Sequence, residues 1–409
     1  MATILKEING KNLYYFSVDN STPVMYHRNE LYLDNFPATA CRTWDYSTFF
    51  PSDSTKYAKL YCSGKSLSQM CPDSILPVWT EVTKKYQSHY RSIINAKIDP
   101  SSAPLFKLIP IQVMKDFYSQ AENILKFVFE EYEEPENYET LHCLNKITKE
   151  ISQNNLLFDR DFLLDYKPRN HLEKSFVRRM LTEKTLSIKY DIFGTITGRM
   201  TTHKSGLSIM TMPRELRNAI LPRNDFLLEL DYNAAELRVA LSLLGIEQPK
   251  EDLHDWNMSN VFTNTKDRQE AKKEIFSWLY NSESENAEIE KIYDRKKILG
   301  KFYGSNKIKN FFGREIECED RLALNYIIQS TAADMFSRQI SKVHKLLEGR
   351  RSNILYTMHD SVVLDFADED REIIRQIVEE FSDTDLGNFL LNFSAGPRYN
   401  EMKETKWIK

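Results

Sequence analysis

The sequence predicts an α+β fold of several subdomains, in which short buried strands occur together with amphipathic helices. Three observations support this prediction: the apolar run FLLEL at residues 226–230, the two apolar runs that flank His359-Asp360, and the helical periodicity between Ile111 and about Leu164. Short apolar runs bounded by polar residues are typical of strands, and apolar residues three to four positions apart indicate one face of a helix. A chain of 409 residues is long enough for about two to four subdomains.

The composition is ordinary for a globular protein, with 41% apolar and 28% charged residues. The formal net charge of −4 gives no global basic field, although a basic groove on an acidic body is compatible with a nucleic-acid partner. The five cysteines show no C-x-x-C spacing and the start of the chain is unlike a signal or transit peptide, so we expect reduced thiols and a cytoplasmic location. Because no apolar run reaches about 18 residues, we expect no membrane span.

Changes in pattern divide the first half of the chain. Residues 1 to about 110 are rich in Tyr, Ser and Thr and contain short alternating runs such as NLYYFSV, which predict a mixed domain with several strands. Helical periodicity follows and is interrupted by EEYEEPE, where Pro135 predicts a loop between two helices. Residues 166–204 then carry nine basic against three acidic side chains, a pattern compatible both with a solvated surface and with a strip that contacts phosphates.

An acidic residue, Asp231, directly follows the predicted strand FLLEL. A carboxylate at the end of a buried strand is costly unless something binds it. Asn233 can cap the helix that the run LRVALSLLG predicts, and Gly245 is a suitable end for that helix. Asn233 and Glu236 also have the spacing of a capping box, so Glu236 has a structural as well as a functional interpretation.

A second carboxylate, Asp360, lies in NILYTMHDSVVLDF, which predicts a tight hairpin with Asp360 at its tip. An Asp in a turn is common and needs no function. Two Asp residues at the ends of separate strands can nevertheless meet on one sheet and hold two divalent metal ions about 3.5–4 Å apart, the arrangement used for phosphoryl displacement. Mg²⁺ prefers few protein carboxylates together with substrate phosphates, so two Asp residues suffice.

A cationic and aromatic stripe is predicted on the helix DRQEAKKEIFSWLYN, residues 267–281. Arg268, Lys272, Phe276 and Tyr280 recur every four residues and drift only about 40° per step around a helix. One interpretation is a surface helix with Phe276 and Tyr280 in the core. The other is a nucleotide site, because a triphosphate needs cations and a base needs a ring face.

Five segments resemble, in order, the motifs of the family A DNA polymerases, the group of bacterial DNA polymerase I. TGRMTT (197–202) resembles T-G-R-x-S-S, DYNAAELR (231–238) resembles D-Y-S-Q-I-E-L-R, and RQEAKKEIFSWLYN (268–281) resembles R-x-x-x-K-x-x-x-F-x-x-x-Y-G. NYIIQSTAAD (325–334) resembles N-x-x-x-Q-G-T-A-A-D, and MHDSVVLDF (358–366) resembles V-H-D-E. The resemblance implies a template-directed DNA polymerase that extends a primer 3′-hydroxyl.

The resemblance also implies an architecture: an α+β right-hand polymerase fold with an antiparallel palm sheet, helical fingers and thumb, and a small N-terminal domain. The implied boundaries are 1–110 for the N-terminal domain, 111–185 for the thumb, 186–250 and 318–409 for the palm, and 251–317 for the fingers. The first 110 residues contain no D-x-E, the pair that the family's proofreading exonuclease uses for its metals. We therefore expect a compact, phage-type member without an exonuclease domain.

Residue roles follow from the resemblance position by position. Asp231 and Asp360 would hold two Mg²⁺ ions, with Mn²⁺ as a substitute, and would be catalytic together with Lys272. The implied dNTP-binding residues are Arg268, Lys272, Phe276, Tyr280, Tyr232 and Glu236, the last as a steric gate against a 2′-hydroxyl. The implied DNA-binding residues are Arg199, Gln329, His359 and Arg238. The implied partners are primer–template DNA and dNTPs, bound by a monomer, with replication accessory proteins in addition.

Departures from the motifs leave alternatives. Ser361 replaces the Glu after His359-Asp360, and the H-D-S form is typical of single-subunit RNA polymerases, which share the fold. Glu236 favours DNA synthesis, because the RNA enzymes carry a small residue there. A polymerase-like replication scaffold without activity is a further alternative, which the four intact residues Asp231, Asp360, Arg268 and Lys272 disfavour. The basic segment DRKKILGKFYG, 294–304, does not fit the fingers spacing and is interpreted as a solvated helix and loop.

Overall fold

The computed structural model describes residues 13–19, 21–98, 100, 103–262, 267–281 and 283–404. The chain forms two compact units, residues 1–149 and 150–409. Both units combine helices with strands, so the predicted α+β class is confirmed. Within the described ranges, no helix combines the length and the apolar character that a membrane crossing requires.

The first unit contains small sheets and long helices. Its elements are β1 (Phe16–Ser17), β2 (Met25–His27), β3 (Glu30–Tyr32), β4 (Arg42–Thr43), β5 (Lys56–Tyr57), α1 (Ala58–Tyr61), α2 (Leu76–Asn95), α3 (Leu105–Leu108), α4 (Ile111–Glu131) and α5 (Tyr138–Gln153), which runs across the boundary. Strands β1, β2 and β3 form an antiparallel sheet, and β4 pairs with β5 in parallel. The loop predicted around Pro135 lies between α4 and α5 and is confirmed.

Helix α4 packs into the same core as the strands that precede it. Its buried side chains Met114, Tyr118 and Leu125 share one apolar cluster with Phe16 of β1 and Tyr26 of β2. The long helices α2 and α4 also pack on each other. The boundary at residue 149 therefore differs from the predicted one at residue 110, because a cut at 110 would divide this core.

The second unit is larger and is built around one antiparallel sheet. Its helices are α6 (Arg160–Asp165), α7 (His171–Thr182), α8 (Ala235–Leu244), α9 (Leu253–Asn260), α10 (Arg268–Tyr280), α11 (Ala287–Ile292), α12 (Arg295–Phe302), α13 (Asp320–Leu347) and α14 (Ile374–Ser382). Its strands are β6 (Leu157–Phe158), β7 (Tyr190–Asp191), β8 (Thr201–Thr202), β9 (Ile220–Leu221), β10 (Phe226–Tyr232), β11 (Tyr303–Gly304), β12 (Lys307–Lys309), β13 (Glu315–Glu317), β14 (Asn353–Met358), β15 (Ser361–Phe366), β16 (Asp383–Thr384), β17 (Gly387–Asn388), β18 (Leu391–Gly396) and β19 (Lys403–Glu404).

The main sheet has the strand order β14-β15-β10-β18-β19, with β10 at its centre. The predicted strand at residues 226–230 and the predicted hairpin are both confirmed, and β10 continues two residues further than predicted. Helix α13 packs against α8 and α14 and is buried along much of its length. The sheet therefore has a rigid support on which two strand ends can hold side chains in fixed positions.

The start of helix α8 differs from the prediction. Ala234, with a left-handed φ of 55°, precedes the helix, and no side chain caps it. The Asn233 side chain instead accepts a hydrogen bond from the Leu253 amide at 2.8 Å, so the predicted N-cap and capping box are wrong. The predicted end is confirmed, because Gly245 terminates α8 at a φ of 77°.

The segment at residues 294–304 is a helix followed by a strand. Helix α12 is confirmed, but Tyr303–Gly304 form β11 at the edge of the small sheet β11-β12-β13. The predicted loop is therefore wrong at these two residues. Arg295 at the helix start is half-buried and donates to the Trp278 carbonyl at 2.6 Å, so this end of the helix is not simply solvated.

Candidate active site

The two acidic residues that the sequence singled out lie close together at the ends of neighbouring strands of the main sheet. In the antiparallel pairing of β10 with β15, Asp231 lies opposite Ser361, and Asp360 directly precedes Ser361. The Tyr232 amide donates to the Asp360 carbonyl at 3.4 Å, which ties the two strand ends together. The predicted convergence of two strand-end carboxylates is thus present in the fold.

The position of Asp360 depends on the tightness of the hairpin. Strands β14 and β15 are joined by His359 and Asp360 alone. His359 has a left-handed φ of 56°, which two-residue hairpins require and which non-glycine residues adopt at some cost. The His359 side chain is exposed at this turn.

Burial and mutual repulsion make ionisation of the two carboxyl groups unfavourable. Burial raises the pKa of Asp360 to about 7, and the nearby Asp231 charge is the second cause. Burial also raises the pKa of Asp231, opposed by a 3.1 Å hydrogen bond from the Asn392 amide. Two partly buried acidic groups of this kind gain most when a cation neutralises them.

A third carboxylate, Glu229, was not among the predicted site residues. It lies two residues before Asp231 on β10, so both side chains point to the same face of the sheet. Burial and the Asp231 charge raise the pKa of Glu229, while Arg217 and Arg214 oppose the shift. Because side chains alternate between the two faces of a strand, the spacing of two residues between Glu229 and Asp231 could have identified Glu229 from the sequence.

The donor set suits Mg²⁺ with a substrate, but it is not a complete protein cage. Among the residues that the structure describes, no group of three or more His, Cys, Asp or Glu side chains could hold a metal ion. Asp231 and Asp360 would therefore supply two carboxylates, and phosphate oxygens and water the rest. This is the ligand balance that Mg²⁺ prefers, so the residues fit the implied metal.

Helix α10 presents the predicted stripe away from the core. Asp267 caps the helix by accepting from the Gln269 amide at 3.1 Å. The core face of the helix is formed by Ala271, Ile275, Trp278 and Leu279. Phe276 is half-buried and Tyr280 is 46% exposed, so the interpretation that placed both rings in the core is wrong.

The stripe is continuous along the helix. The Phe276 and Tyr280 rings lie nearly parallel, with centroids 6.0 Å apart and an interplanar angle of 8°. The Lys272 ammonium lies 5.8 Å from the Phe276 ring centroid. At the start of the stripe, Arg268 donates to Asp252 and Asp255, each at 2.9 Å. A cation pair and a ring pair therefore follow each other on one side of α10.

Glu236 joins three segments that each carry a predicted site residue. It lies in the first turn of α8, is 9% exposed, and accepts hydrogen bonds from the Arg199 guanidinium and the Tyr280 hydroxyl. Burial raises the pKa of Tyr280, the bond to Glu236 raises it further, and a hydrogen bond with Gln329 of α13 opposes the shift. The carboxylate thus links the end of α10 to the start of α8.

One cavity borders Asp360. Arg199, His359 and Asp360 line it together with Ala235 of α8 and Ala333 of α13. Although His359 is exposed at the turn, the surrounding protein partly desolvates its ring and so lowers its pKa, and the positive charge of Arg199 lowers it further. At neutral pH His359 is therefore expected to be an uncharged ring at the rim of this cavity.

Two predicted site residues have side chains that a ligand cannot reach. Arg238, predicted to bind DNA, is fully buried, and its guanidinium donates to carbonyl oxygens of Asn233, Pro249 and Glu251. The Tyr232 side chain, predicted to bind dNTP, is 2% exposed, stacks on Phe381 and donates to its carbonyl. Both predictions are wrong for these side chains, because the groups serve the internal packing of the second unit.

The chain is similar in sequence to known DNA polymerases. The sequence profile described as DNA polymerase family A matches residues 279–387. DNA polymerase I of Chloroflexus aurantiacus is 23% identical over 271 residues, 52% of this chain and 29% of that protein. The thermostable DNA polymerase I of Thermus aquaticus is 24% identical over 246 residues, 48% of this chain and 30% of that protein. The chain thus spans about a third of the length of these relatives.

A solved structure shares the fold. The POL domain of Pol1 from M. smegmatis, in complex with DNA primer-template and dNTP, matches with a TM-score of 0.51 and 14% sequence identity. The match covers 71% of this chain and 75% of that chain. At this identity the likeness concerns the fold, which is that of a polymerase domain. The motifs, the profile match over residues 279–387 and the shared fold together make this chain similar to the DNA polymerases of family A.

Proposed function

We propose that this chain is a template-directed DNA polymerase that adds deoxynucleotides to a primer 3′-hydroxyl by phosphoryl transfer assisted by two Mg²⁺ ions. The observation that carries the proposal is the convergence of Asp231 and Asp360 at adjacent strand ends of one sheet. The match of residues 279–387 to the profile of DNA polymerase family A supports the same chemistry. The proposed substrates are primer–template DNA and dNTPs, bound by a monomer whose palm comprises residues 186–250 and 318–409 and whose fingers comprise residues 251–317.

Each site residue has a role in this proposal. Asp231 and Asp360 hold the metal ions, while Arg268 and Lys272 bind the triphosphate and Lys272 also lies near the leaving pyrophosphate. When bound, the metal ions lower the pKa of the primer hydroxyl and stabilise charge on pyrophosphate. Phe276 and Tyr280 offer ring faces to the nascent base pair, and Arg199, Gln329 and His359 contact the primer end.

The DNA product is favoured over RNA by Glu236. Its carboxylate is fixed between Arg199 and Tyr280, which suits a steric gate against a 2′-hydroxyl. We therefore expect extension of a primed template with dNTPs and Mg²⁺, and at most trace extension with rNTPs. Equal or preferred use of rNTPs would favour the RNA polymerase alternative, and no extension with either set would favour a scaffold without activity.

Proofreading is not expected from this chain. The first 110 residues lack the D-x-E pair of the family's exonuclease, and a compact phage-type polymerase would fit this composition. We expect a primer with a mismatched 3′ end to remain intact when the protein and Mg²⁺ are added without dNTPs. Shortening of that primer, measured beside a matched primer, would contradict the expectation.

A further inference from the structure

Arg268, the first cation of the α10 stripe, is held by two carboxylates of the neighbouring helix α9. Its Nε donates to Asp255 Oδ1 at 2.9 Å and its Nη2 donates to Asp252 Oδ1 at 2.9 Å. The Asp252 side chain is 29% exposed, whereas that of Asp255 is 62% exposed. Because water screens an exposed ion pair more strongly, Asp252 is the firmer of the two contacts.

Asp252 is itself fixed in place. As the cap of α9, its Oδ1 accepts from the His254 and Asp255 amides at 2.9 and 3.1 Å. Its other oxygen, Oδ2, accepts from the Asn233 amide nitrogen Nδ2 at 2.8 Å. Both oxygens of this carboxylate are therefore engaged, and its position is defined from two directions.

Asn233 connects this contact to the strand that carries Asp231. It is 5% exposed and lies two residues after Asp231, where its own amide donates to the Leu390 carbonyl at 3.0 Å. Its Oδ1 accepts from the Leu253 amide at 2.8 Å and from Arg238 Nη2 at 3.2 Å. A hydrogen-bond network thus runs from the buried Asn233 at the end of β10 through the partly exposed Asp252 to Arg268.

The contact leaves part of the guanidinium available. A guanidinium has five N–H donors, and the two carboxylates use one on Nε and one on Nη2. Among the described residues, none accepts a hydrogen bond from Nη1 of Arg268, and the side chain is 42% exposed. The carboxylates therefore fix the plane and direction of the guanidinium without using all of its donors, which leaves an edge for phosphate oxygens.

We propose that Asp252, anchored by Asn233, is a positioning residue that holds the Arg268 guanidinium in the orientation required for the triphosphate of the incoming nucleotide. The proposal rests on the proposed function, in which Arg268 contacts that triphosphate. A pre-oriented guanidinium loses less side-chain entropy when the nucleotide binds, so Asp252 acts on nucleotide affinity and not on the chemical step.

The test is nucleotide incorporation on a primed template at varied dNTP concentration, with Asp252→Asn as the main variant. Asn keeps an oxygen that can cap α9, but a neutral acceptor binds a guanidinium more weakly and its NH₂ meets the NH₂ of Asn233. We expect the KM for dNTP to rise about tenfold, with kcat changed less than about twofold. Asp255→Asn, the matched control at the exposed contact, should raise the KM less than about threefold.

Two further variants separate positioning from a general structural effect. Asn233→Ser removes the donor to Asp252 and should raise the KM in the same direction without a change of the residues that contact Arg268. Arg268→Ala should raise the KM more than Asp252→Asn does, and adding Asp252→Asn to Arg268→Ala should cause no further rise, because the two act as one unit. Thermal unfolding of each variant shows that it is folded.

The outcomes are distinct. An unchanged or lower KM in folded Asp252→Asn, beside a raised KM in Arg268→Ala, would overturn the positioning role and leave the proposed function intact. Additive effects of Asp252→Asn and Arg268→Ala would also overturn it. An unchanged KM in Arg268→Ala would show that Arg268 does not contribute to nucleotide binding, and it would overturn the inference as well. A parent protein that incorporates no nucleotide would instead refute the proposed function.

Discussion

At the residue scale, the raised pKa of Asp360 has a consequence for stability. The pKa is 3.8 in the unfolded chain and about 7 in the fold, so between these values the unfolded chain releases a proton that the folded protein keeps. Stability contributed by the protonated group is therefore lost as pH rises through this window. Without divalent metal, Asp360→Asn should stabilise the protein by about 1–2 kcal/mol at pH 8 and have little effect near pH 4.

Chemical unfolding of both proteins in EDTA measures this difference. Adding Mn²⁺ at pH 8 should then stabilise the parent more than the variant, because a ligand that binds only the folded state shifts the equilibrium toward it. A variant that is less stable than the parent at pH 8 in EDTA would show that the carboxylate is not under the electrostatic strain described here.

Glu236 offers a second test at the residue scale. Glu236→Ala removes the side chain that joins Arg199 to Tyr280 and should raise rNTP incorporation relative to dNTP by about tenfold or more. Glu236→Gln keeps the size and one oxygen that accepts from Arg199, while its NH₂ can donate to the Tyr280 hydroxyl oxygen, so it should largely retain the discrimination. Incorporation ratios of the two variants and the parent measure this directly. Equal ratios for all three would show that Glu236 has a purely structural role.

The sequence identified individual residues well where local pattern decides their position. Asp231 and Asp360 follow from strand ends, and Arg268 follows from helical spacing. Arg238 and Tyr232 were wrong because their burial depends on carbonyl groups and rings contributed by distant segments. Asn233 has a good capping residue type, yet its side chain binds Asp252 and Leu253, so tertiary contacts outweigh the local preference.

At the element scale, two glycines in helices of the second unit make a matched pair. Gly245 ends α8 at a φ of 77°, whereas Gly300 lies in α12, and an added Cβ would meet nothing within 4 Å at either position. Both positions thus have room for a methyl group, and they differ only in backbone conformation. Gly245→Ala should lower the free energy of unfolding by about 1 kcal/mol, and Gly300→Ala should raise it by about 0.5–1 kcal/mol.

Urea unfolding of the two glycine variants measures both signs. A stabilising effect of Gly245→Ala would contradict the left-handed backbone conformation at the end of α8, the helix that follows β10. A destabilising Gly300→Ala would show that α12 depends on a glycine for a reason other than backbone conformation.

Elements with strong local patterns were predictable, whereas their ends were not. Helix α10 follows the predicted periodicity and its Asp267 cap, and it ends at Asn281 in extended backbone with φ −109°, a conformation that needs no glycine. The departure of Asn281 from the family's Gly is therefore compatible with the helix end. The left-handed Ala234 before α8 has no sequence signal, because glycine or asparagine normally supplies that conformation.

At the scale of the whole molecule, composition misplaced the first boundary. The change from a Tyr- and Ser-rich segment to helical periodicity suggested a division at residue 110, but α4 belongs to the core formed by the segments before it. Amino-acid composition reflects local preferences for secondary structure, and it contains little information about which helix packs into which hydrophobic core. The order of the polymerase motifs, by contrast, indicated the fold of the second unit because it combines segments that are far apart in sequence.

The central claim is that Asp231 and Asp360 act together in phosphoryl transfer. The most direct measurement is the single-turnover rate of incorporating one complementary dNTP into a primed template with Mg²⁺, for the parent, Asp231→Asn and Asp360→Asn at saturating DNA. We predict that each variant still binds the template but incorporates at least about 10³-fold more slowly, equivalent to about 4 kcal/mol of transition-state stabilisation. A folded variant that incorporates within about tenfold of the parent rate would contradict the account.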